Sequence, residues 1–139
     1  MPIRRTMPLT FIALALAACK PAPTISEAAA RAARLEAYRG DPGRGQTLFA
    51  ACRTCHSDVA GGNRTGPSLF AVVGRPAGTV PGFHYSPANR ASRLVWDAPT
   101  LFRYLLDPQA TVPGTFMSYG GMADPQARAD VIAYLATRR

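Results

Sequence analysis

Lysine is almost absent from this chain. Lys20 is the only lysine among 16 basic residues, and the others are arginines. Eight residues are acidic, which leaves the 139-residue chain with a net charge of +8. The arginines are scattered, without the interleaved aromatic residues of a nucleic-acid-binding stripe, so we expect no nucleic acid as a partner. The charge indicates solubility and a weak attraction to acidic surfaces.

Long hydrophobic runs are lacking as well. The apolar run from Met7 to Ala18 is broken by a proline and a threonine, and as a helix it would reach only about 18 Å. The hydrocarbon core of a bilayer is about 30 Å thick, so this run should not remain as a spanning helix. It follows the basic start MPIRR and precedes small residues, as in a secretory signal. We therefore predict a signal peptide over residues 1–18.

Cysteine is scarce, and one of the three cysteines stands alone at position 19. The stretch LAAC that ends at Cys19 resembles the lipobox of bacterial lipoproteins, in which the cysteine is lipidated and becomes the new N-terminus. The alternative is ordinary signal cleavage after Ala17, within an A-x-A site, which would leave Cys19 as a free thiol. We expect lipidation of Cys19, and hence a protein anchored on the periplasmic side of a bacterial membrane.

Residues 19–40 are expected to link that anchor to the domain. Two prolines keep the start of the linker extended. Thr24 and Glu27 can form a capping box, and the alanine-rich run after them favours a short helix that ends at Gly40. The segment has few large apolar residues, so we interpret it as a spacer.

Residues 41–139 leave room for one domain with a modest core. Helices are predicted from Asp41 to about Ala51, from Asp97 to Leu106 and from Asp124 to Thr137, each with an aspartate as N-cap and an early proline. Residues 57–93 are rich in Gly, Pro, Ser and Asn and show no strand pattern. The prediction is an all-α domain of short helices and long loops, in which an apolar group such as a porphyrin fills the centre.

Gly45 lies on the same face of the first predicted helix as Phe49. A glycine inside a helix costs about 1 kcal/mol of stability relative to alanine. We therefore predict that another helix crosses closely at Gly45.

The spacing Cys52-x-x-Cys55-His56 is compatible with a redox-active pair, a metal site or covalent haem attachment. A thioredoxin-like site needs a β-α-β context, and a structural zinc site needs a fourth ligand that closes a tetrahedron; the chain offers neither. Covalent haem remains, with two thioether bonds and a histidine placed to bind iron. The export signal agrees with attachment outside the bacterial cytoplasm.

Four segments, the first of which contains this motif, resemble the class I cytochromes c, and the resemblance covers about residues 41–139. They are GQTLFAACRTCH, TGPSLFAVVGRPAGTVPGFHYSPANR, LVWDAPTLFRYLLDPQATVPGTFMSYGGM and RADVIAYLATRR. They are similar to the family's haem-attachment helix, the loop around the haem, the crevice helix with the methionine loop, and the closing helix. The resemblance implies the class I cytochrome c fold, one covalent haem c and an electron carrier that is not an enzyme.

The resemblance also implies which residues surround the haem. His56 would be the proximal iron ligand and Met117 the distal one, a pair that raises the reduction potential and leaves no open site for substrate. Met122 is the rival distal ligand but lacks the Pro-Gly-Thr approach that precedes Met117, and His84 is expected to be a partly exposed histidine. The remaining cofactor contacts are assigned to Cys52, Cys55, Pro67, Arg75, Tyr85, Asn89, Trp96, Tyr104 and Thr115.

The chain departs from mitochondrial-type members at the haem edge. Where those members carry lysines, this chain has Ala51, Gln109, Ala110, Phe116, Met122 and Ala123. Charges at an interface rim mainly set the on-rate and its salt dependence. We therefore predict an apolar docking patch around Phe116 and Met122.

The sequence thus predicts a membrane-tethered, single-haem electron carrier. Its partners would be redox proteins, namely a quinol-oxidising complex, a terminal oxidase or a dehydrogenase, and it would act on no small-molecule substrate. An alternative is a fixed cytochrome subunit of a dehydrogenase or oxidase complex. A peroxidase or gas sensor is a third hypothesis and requires an open iron position.

Overall fold

A computed structural model describes residues 33–139. These residues form short helices joined by long loops, and their only β pairing is one bridge between Pro76 and Val95, which confirms the all-α prediction. No helix in this range has both the length and the apolar character needed to cross a membrane. In chain order the helices are the 3₁₀ helix Leu35–Ala37, α1 (Pro42–Leu48), the 3₁₀ helix Phe49–Thr54, α2 (Pro87–Ala91), α3 (Ala98–Leu106), α4 (Pro108–Thr111) and α5 (Pro125–Ala136).

The three predicted helices begin where the sequence places them. The carboxylates of Asp41, Asp97 and Asp124 each accept a backbone N–H from the first turn that follows, at 2.8–2.9 Å. The first α-helix ends earlier than predicted. α1 ends at Leu48, and the chain continues as the 3₁₀ helix Phe49–Thr54. This tighter helix brings the Cys-x-x-Cys-His segment to the centre of the domain.

Two short helices were not predicted. α2 lies inside the stretch expected to be irregular, and α4 begins immediately after α3. Helices of four or five residues are too short to show a helical hydrophobic period. The usable signal was a capping side chain followed by proline, since Ser86 caps α2 and Asp107 caps α4.

α1 and α5 cross in direct backbone contact at Gly45. A Cβ at this position would lie 2.0 Å from the backbone oxygen of Asp130 and 2.8 Å from the Cβ of Tyr134. Only a residue without a side chain allows this approach. The predicted close crossing at Gly45 is confirmed.

The buried carboxylate of Asp130 ties the start of α1 to α5. It accepts the backbone N–H of Asp41 at 2.8 Å, the Nε of Arg44 at 2.9 Å and the side-chain amide of Gln126 at 2.8 Å. The hydrogen bond from Arg44 is the main cause that holds the pKa of Asp130 below its usual range. The two ends of the domain are thus joined by an ion pair as well as by packing.

The segment before α1 packs on the domain. Tyr38 stacks on Phe102 of α3 with ring centroids 6.0 Å apart, and the backbone oxygen of Arg39 accepts the side-chain amide of Gln126 at 2.8 Å. The spacer interpretation is therefore wrong for residues 33–40. The few large side chains of this segment, Leu35 and Tyr38, pack against the hydrophobic core, and Tyr38 does so on Phe102 of α3.

The predicted linker helix is present only as the single turn Leu35–Ala37 in this segment, and the chain is not helical at Gly40. The proposed capping pair Thr24 and Glu27 and the proposed lipidation site Cys19 lie outside the described residues.

α5 is buried on three faces, and this organises the domain. Each residue of an α-helix is rotated by about 100° from the one before, so residues two positions apart point to nearly opposite sides. The face toward the N-terminal segment therefore lies opposite to the face toward the centre of the domain. The three faces are Ala129 and Ala133 toward the N-terminal segment, Asp130 and Tyr134 toward α1, and Val131 and Leu135 toward a central cavity.

Candidate cofactor site

A cavity of about 410 Å³ lies at the centre of the domain, and its wall is mainly apolar. The wall is built by the 3₁₀ helix Phe49–Thr54, by α2, α3 and α5, and by the loops between them. It includes every residue that the sequence assigned to the cofactor: Cys52, Cys55, His56, Pro67, Arg75, Tyr85, Asn89, Trp96, Tyr104, Thr115 and Met117. A central cavity with an apolar wall agrees with the expectation that an apolar group completes the core.

The Cys-x-x-Cys-His segment forms one tight turn in this wall. The backbone N–H groups of Cys55 and His56 both donate to the carbonyl oxygen of Cys52, at 3.1 and 2.9 Å. Both thiols are free, and burial raises the pKa of Cys52. Two free thiols one turn apart and beside an imidazole are positioned for covalent attachment of haem c.

The ring of His56 is held in one orientation. Its Nδ1 lies 2.7 Å from the carbonyl oxygen of Pro67, so Nδ1 carries the proton and Nε2 is the nitrogen left to bind a metal. The ring lies against Gly66, where a Cβ would come within 2.4 Å of the His56 Cε1. Burial lowers the pKa of His56, which favours the neutral imidazole that a metal requires.

Arg75 and Asn89 present buried polar atoms to the wall. The two terminal nitrogens of Arg75 donate to the carbonyl oxygens of Phe70 and Ser68, at 2.7 and 2.9 Å. Among the described residues its Nε has no partner, and neither has the Oδ1 of Asn89. Burial lowers the pKa of Arg75. Because buried polar atoms are almost always paired in folded proteins, the unpaired Nε–H of Arg75 fits a bound group with an anionic edge, as a haem has, whereas the Oδ1 of Asn89 can only accept a hydrogen bond.

The methionine side of the cavity is organised around Thr115. Its hydroxyl lies 3.1 Å from the hydroxyl of buried Tyr104, and it accepts the backbone N–H of Met117 at 3.3 Å. Burial raises the pKa of Tyr104, so this phenol stays protonated as a hydrogen-bonding group. Met117 lines the wall, half-buried.

The two rival ligand candidates do not line the cavity. Met122 is half-buried against the hydrophobic core, and its backbone N–H donates to Leu105 at 2.8 Å. His84 is exposed, as expected for a non-ligand, and its ring stacks on that of Phe116 with centroids 6.4 Å apart.

Asn63 supports the cavity and was not identified from the sequence. Its side chain donates to the carbonyl oxygen of Pro81 at 3.0 Å and accepts the backbone N–H of Ser68 at 2.9 Å. It therefore ties together two turns of the long loop between the 3₁₀ helix Phe49–Thr54 and α2. No local signal marks it, because its partner Pro81 is eighteen residues away.

The mouth of the cavity, meaning the exposed residues of its lining, has no permanently charged side chain in the described part of the chain. Phe116 is the most exposed large apolar residue of the described range, at 66%. The exposed lining residues are Ala51, Thr54, Cys55, Thr65, Phe116 and Ser118. Among the described residues that line the cavity, Arg75 is the only one with a permanently charged side chain.

Comparison with known proteins gives consistent matches. A family model described as Cytochrome c matches residues 43–139. Cytochrome c2 of Rhodopila globiformis is 54% identical over 99 residues, which cover 70% of this chain and 93% of that protein. Cytochrome c2 of Rhodomicrobium vannielii is 48% identical over 100 residues, 71% of this chain and 80% of that one.

A solved structure is similar over the same share of the chain. Cytochrome cH from Methylobacterium extorquens superposes with a TM-score of 0.67 at 42% identity. The match covers 70% of this chain and 99% of that one.

Proposed function

The chain belongs to the cytochrome c family of electron carriers with one covalent haem c, and from that premise we propose a periplasmic carrier tethered to a bacterial membrane through Cys19. It passes electrons between respiratory or dehydrogenase partners and acts on no small substrate. The observation that supports this most directly is the cavity wall that brings Cys52, Cys55, His56 and Met117 together.

When bound, the haem supplies an iron that alternates between the ferric and ferrous states. In the proposed site Cys52 and Cys55 would hold the haem through thioether bonds, and His56 would offer its Nε2 as an iron ligand. Met117, which also lines the cavity, would supply the thioether ligand. Imidazole and thioether together favour the ferrous state and leave no position for a substrate.

The polar residues of the wall set the orientation of the cofactor in this proposal. Arg75 donates to its carboxylate edge from the unpaired Nε–H, and Asn89 lines the wall beside it with an Oδ1 that can accept from a donor. Pro67 fixes the imidazole through its carbonyl oxygen, and Tyr104 with Thr115 supports the methionine loop. Tyr85 and Trp96 close the apolar part of the wall.

The iron ligands are tested on protein from a host competent in cytochrome maturation. The mass of the purified chain should exceed that of the polypeptide by one haem, and its ferric spectrum should be low-spin. Met117→Ala should give a high-spin or water-bound ferric form, whereas Met122→Ala, the matched control outside the cavity, should keep the parent spectrum. A low-spin spectrum unchanged in Met117→Ala would contradict the assignment of the distal ligand.

The uncharged mouth supports docking of a redox protein through an apolar patch centred on Phe116. Electron transfer to a partner should then change little as added salt shortens the Debye length from about 30 Å to about 8 Å. Phe116→Ala should slow the transfer, whereas Val59→Ala should not, because Val59 is similarly exposed, at 63%, but does not line the cavity. A steep fall in rate with salt would overturn this proposal.

The tether is tested separately. Cys19→Ser should release the protein from the membrane fraction without changing its spectrum. If the parent is recovered in the soluble fraction with the mass of an unlipidated chain, the anchor is absent while the carrier function stands.

A second candidate function is a fixed cytochrome subunit of a dehydrogenase or oxidase complex. The absence of charge at the mouth favours it, since a permanently held partner needs no long-range steering. Co-purification of one stoichiometric partner from the native membrane would support this candidate over a free shuttle.

A further inference from the structure

The loop that carries Met117 lacks backbone support of its own. Among the described residues, no backbone–backbone hydrogen bond involves residues 116–121; the nearest are from Thr115 to Val112 at 2.9 Å and from Met122 to Leu105 at 2.8 Å. A loop without main-chain pairing opens easily unless side chains hold it. The position of Met117 therefore depends on side-chain contacts.

One of these contacts comes from Thr115, and the others come from Gln109. The side-chain Nε2 of Gln109 donates to the carbonyl oxygen of Thr115 at 2.9 Å and to that of Met117 at 3.3 Å. Its Oε1 accepts the backbone N–H of Gly114 at 3.4 Å. A single amide thus contacts the loop on both sides of Phe116.

Gln109 lies in a short helix that is capped and anchored by a buried proline. It is the second residue of α4, which the Asp107 carboxylate caps by accepting the N–H of Ala110 at 2.9 Å, and the preceding Pro108 is buried. A brace of this kind needs both a donor and an acceptor. The lysine found at this position in mitochondrial-type members has three donors and no acceptor.

We propose that Gln109 is a positioning residue that holds Met117 in the wall of the cavity. The proposal rests on the proposed function, in which Met117 binds the iron. Gln109 does not line the cavity and acts only through the main chain of the loop. Losing the 2.9 Å hydrogen bond to Thr115 and the two longer ones, at 3.3 and 3.4 Å, should raise the opening constant of the loop by roughly tenfold.

The chain offers a closely matched control. The sequence Asp-Pro-Gln-Ala occurs twice, at 107–110 and at 124–127, and both glutamines stand second in helices capped by the aspartate. The side chain of Gln126, however, bonds to Arg39 and Asp130, and none of its hydrogen bonds reaches residues 116–121. Its removal weakens the fold without touching that loop.

The test compares Gln109→Ala, Gln109→Glu and Gln126→Ala in the haem-loaded protein. Gln109→Glu keeps the acceptor but removes the donor that serves both carbonyls. In a denaturant titration, the weak absorption of the methionine–iron bond in the ferric protein is followed beside far-ultraviolet circular dichroism. The reduction potential is measured on the same samples.

For both Gln109 variants we expect the methionine band to disappear well before the helices unfold, with a detachment constant raised roughly tenfold or more. Their potentials should fall, because thioether ligation favours ferrous iron. Gln126→Ala should shift global unfolding only. The proposal would be overturned if the Gln109 variants kept the parent's reduction potential and lost the methionine band only when the helices unfold. It would also be overturned if Gln126→Ala lost the band equally early.

Failure of the proposed function is visible separately. If the parent itself lacks the methionine band, Met117 is not a ligand and the iron-site proposal fails. The brace is then read from hydrogen exchange of the Gly114 amide, which donates to Gln109. Exchange faster in Gln109→Ala than in the parent supports the brace, and equal exchange refutes it.

Discussion

Replacing Gly45 by alanine should separate α1 from α5. The new Cβ would lie 2.0 Å from the backbone oxygen of Asp130, 2.6 Å from its carbonyl carbon and 2.8 Å from the Cβ of Tyr134. None of these atoms is the free end of a flexible side chain. The helices must therefore move apart by roughly 1 Å or more, since nonbonded carbon atoms approach to about 3.5–4.0 Å.

The expected cost follows from three effects. Overpacking of this kind costs about 1–3 kcal/mol. The shift also stretches the hydrogen bonds that Asp130 accepts from Asp41 and Arg44, each worth about 1 kcal/mol. Alanine returns up to about 1 kcal/mol of helix propensity. We expect a net loss of about 2–3 kcal/mol in the free energy of unfolding, a large share of the 5–15 kcal/mol typical of a domain.

The assay is guanidinium unfolding of the ferric protein followed by far-ultraviolet circular dichroism. Gly45→Ala should lower the midpoint without changing the slope, which reports the surface exposed on unfolding. Gly43→Ala is the matched control in the same helix, because its Cβ would meet only the carboxylate of Asp41, at 3.2 Å. It should match the parent or exceed its stability by up to about 1 kcal/mol, because it gains helix propensity without meeting backbone atoms. Equal midpoints for the two variants would refute the argument from close crossing.

Three further changes test other contacts. The hydrogen bond from Arg44 lowers the pKa of Asp130, so the stability due to this carboxylate is present above its unfolded pKa of about 3.9 and is lost as the pH falls through the folded pKa. The difference in unfolding free energy between the parent and Asp130→Asn should therefore shrink on acidification. A difference that stays constant with pH would contradict this. Tyr38→Ala should cost about 1–2 kcal/mol and speed tryptic cleavage after Arg39, whereas Glu36→Ala at an exposed position should do neither; equal cleavage in all three proteins would mean that the segment is not docked. Gly66→Ala should displace the ring of His56, because its Cβ would lie 2.4 Å from Cε1, and should weaken the low-spin ferric spectrum; an unchanged spectrum would show that the ring tolerates the shift.

The sequence by itself determined the class of fold, the starts of the three longer helices and the cofactor. Caps followed by proline are local signals, and the attachment motif places two cysteines and a histidine within five residues. The close crossing at Gly45 was also predictable, since a glycine on the buried face of a helix needs a packing reason.

Only the tertiary structure decided which distant groups meet. Arg44 and Asp130 are 86 residues apart, and nothing in either neighbourhood marks them as partners. Nor does the sequence mark Tyr38 and Phe102 as partners, although their contact packs part of the predicted spacer on the domain. Gln109 stood out in the sequence only as a missing lysine, and its contacts with Gly114, Thr115 and Met117 are visible only in the folded chain. Such contacts depend on where whole helices end and turn, which is settled by packing of the complete chain rather than by neighbouring residues.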